Sequence, residues 1–372
     1  MQILGAVAAI AMLAAAPAFA DIASFNAAVK AGDFKKAATE AAATWPQLDK
    51  SREDIGLIAR EFGFAAYVAT DYAAARSYSE FAASKTSSDA DGLLSNVLLR
   101  LSEHKLKLSN GTRENLNEAL VARTALPGFD VISFLGADTL VAYDFEKGRW
   151  KNAAASSDMA VKLTEAAGPS YAVQRRRFAL FAAVAEYMAT EEPAVYDQFT
   201  ALKKAVVDEI DAAASEEAAA RFAPLYWEIK AWQETLDAHL SALGKKRPPP
   251  VYGFDMEQAL NVTERRKTLL HQYPPFNPCH RRMELSKHPQ YPGSALYRGF
   301  VGTVVLRMDI DAGGKPINPE VLAAVPEKYF GKTALDSVKN ISFEKGASWD
   351  EAKCSMAEQG HVVIYSFRFP DR

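Results

Sequence analysis

The 372-residue sequence lacks the motifs on which most enzyme classes depend. It contains no Gly-x-Ser-x-Gly, no glycine-rich phosphate loop, no His-Glu-x-x-His and no convincing pair of catalytic carboxylates. Positive charge is not in excess either, because 43 Lys and Arg side chains stand against 46 Asp and Glu side chains. A nucleic-acid-binding protein needs such an excess to displace counterions from phosphates. The sequence therefore predicts a protein that is not an enzyme, uses no cofactor or metal, and binds no nucleic acid.

Long apolar runs are missing outside the first 20 residues. This segment carries an apolar stretch, Ile3 to Leu13, and the small-x-small pattern Ala18-Phe19-Ala20. That pattern predicts a signal peptide, residues 1–20, cleaved after Ala20, and hence an exported protein. The alternative is an uncleaved membrane anchor. Pro17 disfavours the anchor, since a spanning helix needs about 20 apolar residues before any break.

Cysteine is scarce, with Cys279 and Cys354 as the only two. In an exported protein an even pair favours a disulfide, here closing a loop that would stabilise the fold by about 4 kcal/mol. Two buried free thiols are one alternative. A metal site that also uses His271, His280 and His288 is another, but these spacings match no compact pair of zinc ligands.

What the sequence does have is a recurring triplet in residues 22–243. The triplets are Gly32-Asp33-Phe34, Thr70-Asp71-Tyr72 and Gly148-Arg149-Trp150, each followed by an alanine three residues after its aromatic: Ala37, Ala75 and Ala153. The aromatics lie 38 and then 78 residues apart, so a degenerate unit is expected near Asn110-Gly111-Thr112. This periodicity predicts helix-turn-helix units with close helix packing at the alanines, and it resembles tetratricopeptide repeats.

Repeats of this kind predict an all-α solenoid over residues 21–243, with a concave surface suited to a peptide or protein. Ser215 to Leu243 is expected to be its last helix, ended by Gly244. The prolines at 248–250 then mark a domain boundary, because they cannot continue a helix.

Residues 244–290 are predicted to be a linker with one short helix, Met256 to His271. From residue 244 to residue 300, ten Lys and Arg side chains stand against four Asp and Glu side chains. Such a segment suits contact with an anionic envelope surface, and solvated surface charge is the alternative.

The last segment, residues 291–372, is predicted to fold in the order helix, strand, strand, helix, strand. Thr303 to Ile310 alternates apolar and other residues as a half-buried strand does, and a hairpin turn leads to a second strand, Pro316 to Val325. A helix from Lys328 to Ile341 and a final strand, His361 to Phe369, follow.

At these residues the sequence resembles the TonB C-terminal domain. The residues that carry the resemblance are Tyr291, Pro292, Ala295, Gly299, Gly302 and Val304, then Asp309-Ile310-Asp311-x-x-Gly314, Ala334-Leu335-x-x-Val338 and Phe343. The chain departs from the family at Ile341-Ser342-Phe343-Glu344-Lys345, where the family has Trp-x-Phe-x-Pro; the fold is expected to survive this change. The resemblance implies a periplasmic domain with a helix pair on a three-stranded antiparallel sheet. It also implies that an extended peptide from outer-membrane receptors binds along a sheet edge.

The sequence as a whole is thus predicted to be an α+β multidomain protein, a helical-repeat solenoid followed by a small TonB-like domain. The expected function is non-enzymatic periplasmic binding of an extended peptide or protein, associated with TonB-dependent transport. The predicted binding strand comprises Val362, Val363, Ile364, Tyr365, Ser366 and Phe367. The segment from Cys279 to Pro289 is placed to pair with this edge and close it.

The alternative function places the partner in the solenoid and makes the TonB-like domain a structural or dimerising module. A retained anchor instead of a cleaved signal would place the protein at the inner membrane and restore a transducer role.

Overall fold

In the computed structural model the described residues are 22–85, 89–245, 263–270, 279, 281–297, 301–325, 327–346 and 349–367. The chain divides into two compact units, Met1–Ala185 and Glu186–Arg372. The predicted signal peptide lies outside the described residues, and the predicted domain boundaries stay predictions. Within those residues, no helix is both long enough and apolar enough to cross a membrane. The predicted fold class is confirmed, because a helical amino-terminal region precedes a domain with antiparallel strands.

The first unit is helical. Its α-helices are α1 (Ala23–Lys30), α2 (Phe34–Thr44), α3 (Ile55–Val68), α4 (Tyr72–Lys85), α5 (Ala90–Leu106), α6 (Asn110–Thr124), α7 (Val131–Glu146) and α8 (Trp150–Ala166), and α9 (Ala172–Thr190) runs past residue 185. Short 3-10 helices of this unit include Trp45–Gln47 and Pro169–Tyr171, and another, Pro193–Val195, lies in the second unit. Helices that follow one another in the sequence pack together from α1 to α8, so the unit is held by contacts between chain neighbours.

The three aromatic triplets form three turns of the same geometry. The first residue of each has a positive φ, 74° at Gly32, 66° at Thr70 and 64° at Gly148. The second residue donates its N–H to the carbonyl oxygen five residues earlier, at 2.8 to 3.0 Å, which closes the preceding helix. The aromatic begins the next helix, and the alanine three residues later is fully buried. The same turn geometry therefore occurs three times in this unit, whereas a tetratricopeptide repeat stays a prediction.

The turn expected near residue 110 differs from the other three. Helix α6 begins at Asn110 and is capped by Ser109, whose hydroxyl accepts the Thr112 N–H at 3.3 Å. Thr112 in turn accepts the Ser109 N–H, so the two residues form a reciprocal capping box. Asp33 and Asp71 also cap their helices, so what this turn lacks is the left-handed residue found at the other three.

A buried ion pair joins α6 to α7. Arg113 Nη2 lies 2.7 Å and Arg113 Nε 3.1 Å from the Asp144 carboxylate oxygens, and the side chains are only 5% and 0% exposed. The Ser156 hydroxyl donates to the same carboxylate at 3.4 Å. The pair satisfies two charges that could not be buried alone.

The second unit combines helices and two sheets. Its elements are α10 (Tyr196–Ala212), α11 (Glu216–Ala220), α12 (Ala223–Ala242), α13 (Glu264–Leu270), β1 (Arg281–Leu285), α14 (Gly293–Tyr297), β2 (Gly302–Ile310), β3 (Pro316–Val325), α15 (Glu327–Ser337), β4 (Ile341–Lys345) and β5 (Glu358–Phe367). A 3-10 turn, Val338–Asn340, ends α15 before the residue predicted. The predicted three-stranded antiparallel sheet is present in the order β3-β2-β5, and a two-stranded sheet, β1-β4, was not predicted.

The three-stranded sheet is covered on both faces. On one face Val304, Leu306 and Met308 belong to a core shared with Ala334 of α15. On the other face Thr303 and Val305 of β2 are 0% exposed, and α12 packs against β2, β3 and β5. The prediction of a half-buried strand is therefore wrong at these two positions, because a helix from outside the predicted TonB-like segment covers them.

Helix α12 occupies most of the segment that was expected to end the solenoid. That segment forms two helices, α11 and α12, and Pro224 lies in the first turn of the second. Gly244, with φ of 67°, follows α12, and the Lys245 N–H donates to Leu240 O at 3.0 Å, so the predicted glycine stop is confirmed. Even the polar Gln233 and Thr235 are buried, as expected for a helix packed on more than one side.

Two arginines of the predicted basic linker are engaged inside the second unit. Arg265 Nε lies 2.9 Å from Glu216 Oε1, and its guanidinium also donates to the carbonyl oxygen of Ala213 just beyond α10. Arg266 Nε donates to Asp211 Oδ2 at 2.8 Å. Helix α13 is thereby fastened to α10 and α11, and contact with an anionic surface stays a prediction.

Candidate peptide-binding edge

Strand β5 forms one edge of the three-stranded sheet. Its pairing with β2 runs from Gly302↔Phe367 to Ile310↔Glu358. On its other side, no strand among the described residues pairs with it. Because backbone groups alternate in direction along a strand, about half of those from residue 362 to residue 367 point away from β2. The predicted binding residues therefore lie on an edge strand, and their role stays a prediction.

One face of β5 is part of the core. Val363, Tyr365 and Phe367 are 7%, 8% and 6% exposed. The Phe367 ring stacks on the Phe330 ring with 4.6 Å between centroids, and the Tyr291 ring meets Phe367 edge-on at 6.0 Å. Burial raises the pKa of the Tyr365 hydroxyl, so this side chain stays neutral at physiological pH. These aromatic contacts fix the strand in the sheet.

The other face of β5 remains partly accessible. Val362, Ile364 and Ser366 are each half-buried. The Ser366 hydroxyl lies 3.4 Å from the Thr303 hydroxyl of β2. A strand added beside β5 would place alternate side chains next to this face, since successive side chains point to opposite faces.

A bulge interrupts β5 near its beginning. Gln359 and Gly360 together stand opposite one residue of β2, Asp309, and Gly360 has a φ of 69°. The Asp309 carboxylate accepts the Asn318 side-chain amide at 3.0 Å and the Gly360 N–H at 2.9 Å. These two hydrogen bonds hold the pKa of Asp309 below its usual value. The carboxylate thus replaces a ladder hydrogen bond that the bulge removes.

An open polar cavity of about 720 Å³ lies beside this bulge. Its charged and amide side chains come from α13 and all three strands of the sheet: Glu264, Lys267, Arg307, Asp309, Asn318, Glu320 and Gln359. Arg307 pairs with Glu320 at 2.7 Å and Lys267 with Glu264 at 2.6 Å. The first part of β5 therefore adjoins a surface rich in both donors and acceptors.

The predicted disulfide between Cys279 and Cys354 is confirmed, with 5.3 Å between the Cα atoms. It ties the residue two positions before β1 to the loop that leads into β5. Among the described residues, no group of three or more His, Cys, Asp or Glu could hold a metal ion.

Four of the residues that carried the family resemblance lie around this sheet. Tyr291 and Pro292 precede α14, in which Ala295 is fully buried. Val304 is fully buried in β2. The fifth, Gly299, is outside the described ranges. Ala295 and Val304 belong to the core that β5 shares, and Tyr291 packs against it.

Gly302, the sixth of these residues, has a steric reason to be glycine. A Cβ atom at this position would collide with the Phe330 ring and with the carbonyl oxygen of Val325. The backbone of β2 therefore approaches α15 and the end of β3 more closely than any side chain would allow.

The expectation that the segment from Cys279 to Pro289 pairs with the β5 edge is wrong. Within this segment β1 pairs with β4 instead, from Arg281↔Lys345 to Leu285↔Ile341. The reason is in β4, where Ile341 and Phe343 alternate with polar residues and are buried as an inner face requires. This alternation can be read in the sequence, at the residues that stand where the TonB C-terminal domain has Trp-x-Phe-x-Pro.

Comparison with known proteins agrees with the C-terminal resemblance. Residues 287–363 match the family model described as Gram-negative bacterial TonB protein C-terminal. A search of curated proteins finds no match to the chain. The matched range contains α14, β2, β3, α15, β4 and the first part of β5. The chain thus carries, in residues 287–363, a domain of the Gram-negative bacterial TonB C-terminal family.

Proposed function

We propose that this chain is a non-enzymatic periplasmic protein of TonB-dependent transport, and that β5 binds an extended peptide from an outer-membrane receptor. The observation that carries the proposal is the position of β5 at the edge of the sheet in the matched domain. In β-augmentation the edge supplies main-chain hydrogen bonds, and the pockets for alternate side chains supply specificity. The half-buried face of Val362, Ile364 and Ser366 offers such positions.

The disulfide supports the proposed compartment. Disulfides persist in oxidising environments, among them the bacterial periplasm, and are rare in the cytosol. The Cys279–Cys354 bond links Cys354, inside the matched range, to Cys279, which lies just before that range. Signal-peptide cleavage after Ala20 belongs to this proposal, and the mass of the exported protein tests it.

A titration with synthetic peptides tests the binding proposal. The probes are synthetic peptides from outer-membrane TonB-dependent receptors, added to the full chain and followed by calorimetry. We expect saturable binding that is lost when alternate peptide nitrogens are methylated, because the methyl group removes the N–H that a strand must donate. Absence of binding, or binding that survives methylation in both registers, would contradict the proposal.

Two proline variants locate the bound peptide. Val363→Pro and Ile364→Pro each remove one N–H, and only one of these two N–H groups points away from β2. We expect the variant with the outward proline to keep its fold and lose the peptide. The variant with the inward proline is expected to lose stability, because it breaks the ladder with β2.

The second candidate function places a protein partner in the helical unit. The threefold use of one turn geometry, at Gly32, Thr70 and Gly148, favours it, because stacked repeats leave a binding surface. In that case a partner protein binds equally well to the chain and to its proline variants.

A further inference from the structure

Arg281, the first residue of β1, donates hydrogen bonds to the backbone of the segment that leads into β5. Its side chain is only 8% exposed. Its guanidinium donates to the carbonyl oxygens of Ser355 at 2.5 Å, Met356 at 3.0 Å, Cys279 at 3.4 Å and Ala357 at 3.5 Å. Three of these acceptors are consecutive residues that end where β5 begins. Carbonyl oxygens gathered in this way suit the fixed fork of an arginine side chain.

The charge of Arg281 is compensated within the same cluster. Arg281 Nη1 lies 2.5 Å from Glu358 Oε2, and the same oxygen lies 3.1 Å from His361 Nδ1. The guanidinium also lies 5.5 Å from the centre of the Trp349 ring. Glu358 is the first residue of β5, so Arg281 holds the start of the strand as well as the loop before it.

The contacts are concentrated where the sheet itself holds β5 least. The bulge at Gln359 and Gly360 interrupts the ladder with β2, and beyond it only Glu358 resumes the pairing. The disulfide at Cys354 restrains the other end of the same stretch. Residues 354–358 are therefore fixed by Arg281 and the disulfide more than by strand pairing.

We propose that Arg281 is a positioning residue that sets the length of the peptide-binding edge. With Arg281 in place the edge comprises the ten residues of β5, Glu358–Phe367. Without it Glu358 is released together with His361, whose ring contacts the same carboxylate, and the ordered edge is reduced to the six residues from Val362 to Phe367. The proposal rests on the proposed function of β5.

The added length has a consequence for the partner. Gln359 and Gly360 line the polar cavity that also contains Lys267 and Arg307. A peptide that spans the whole of β5 reaches this cavity, whereas one that ends at Val362 does not. The long edge thus selects an extended peptide of about ten residues whose end carries polar side chains.

Hydrogen exchange of the unliganded chain tests the positioning directly. The variant is Arg281→Gln, and the matched control is Arg282→Gln, because Arg282 is 67% exposed and its partners among the described residues are the surface carboxylates of Glu284 and Glu344. We expect Arg281→Gln to accelerate exchange of the amides from 355 to 361 by about tenfold or more. Amides from 362 to 367 are expected to stay within about twofold, and Arg282→Gln to change neither set. Uniform acceleration along β5, or none, would overturn the proposal.

Peptide length supplies a readout that general destabilisation would not move. Receptor peptides of about ten and about six residues are titrated against both variants and the unsubstituted chain. We expect the longer peptide to lose about tenfold in affinity for Arg281→Gln and the shorter one to lose nothing. Equal weakening of both peptides would overturn the proposal.

The two proposals fail in different ways. If neither peptide binds the unsubstituted chain, the proposed function is contradicted, and hydrogen exchange still decides whether Arg281 orders residues 355–361. Should Arg281→Gln not fold, Arg281→Lys replaces it. Lysine keeps the charge beside Glu358 but cannot reach the three carbonyl oxygens together, so the same length dependence is expected.

Discussion

The contacts that stabilise each of the two compact units are of different kinds. In the first, helices pack on their neighbours in sequence, through turns such as those at Gly32 and Gly148. In the second, the decisive contacts join distant segments: α12 covers β2, β1 pairs with β4, and a disulfide spans 75 residues. Local patterns therefore locate the turns of the first unit, whereas the edge strand β5 depends on segments from outside the matched family range.

The largest expected effect comes from charging the face of β2 beneath α12. Val305→Asp places a carboxylate at a position that is 0% exposed, so we expect a loss of more than about 4 kcal/mol in the free energy of unfolding. Urea denaturation of the full chain measures it. Arg307→Asp is the control, because Arg307 lies on the same face of the same strand but its side chain is 44% exposed. A loss at Val305 no larger than at Arg307 would show that α12 leaves this face open.

The buried ion pair gives the next effect, in the first unit. Asp144→Ala removes the buried partner of Arg113 and leaves its guanidinium only the half-exposed Glu114 carboxylate, 3.0 Å from Nη1, and we expect a loss of about 3–4 kcal/mol. The double variant Arg113→Met, Asp144→Leu removes both charges and is expected to regain most of that loss. Thermal unfolding of the three chains makes the comparison. A double variant as unstable as Asp144→Ala would mean that the charge is not what matters.

The disulfide is expected to contribute somewhat less. Replacing Cys279 and Cys354 by Ser removes a cross-link over 75 residues, for which chain entropy gives a ceiling of about 4 kcal/mol. We expect a measured loss of about 2–4 kcal/mol, confined to the second unit. Hydrogen exchange separates the units, since amides of α1 to α8 are expected to keep their protection. Equal loss of protection in both units would contradict the difference drawn between them.

The smallest effect concerns the turn geometry of the first unit. Thr70 has a φ of 66°, where a β-branched residue is strained and the equivalent positions carry glycine. We expect Thr70→Gly to stabilise by about 1 kcal/mol and Gly148→Thr to destabilise by a similar amount. Urea midpoints of both variants test this. Destabilisation by Thr70→Gly would show that the three turns are not equivalent.

Features that are local in sequence were predictable. The triplets predicted turns before Phe34, Tyr72 and Trp150, and each of these aromatics begins a helix. Alternation from Thr303 to Ile310 predicted β2, and the cysteine count predicted the disulfide. For the turns and for β2, the sequence signal and the structure that it specifies lie within a few residues of each other. For the disulfide, two cysteines allow only one pairing.

The misses share a physical cause. The composition of α12 does not reveal that its apolar side chains pack on a sheet instead of on another helix. A buried position needs an apolar side chain in either case, so its polarity does not identify the element that covers it. Arg281 gave no signal for the same reason, since its acceptors are backbone carbonyl oxygens that any sequence provides. Strand β4 is the exception, because the sequence did carry a signal for it in the alternation of Ile341 and Phe343 with polar residues.

The most direct test of the central claim is amide exchange of the full chain with and without a bound receptor peptide. If β5 is the binding edge, alternate amides between Val362 and Phe367 gain protection while α1 to α8 are unchanged. If protection appears along the first unit and β5 exchanges as before, the partner binds the helical region, and the edge-strand account is wrong.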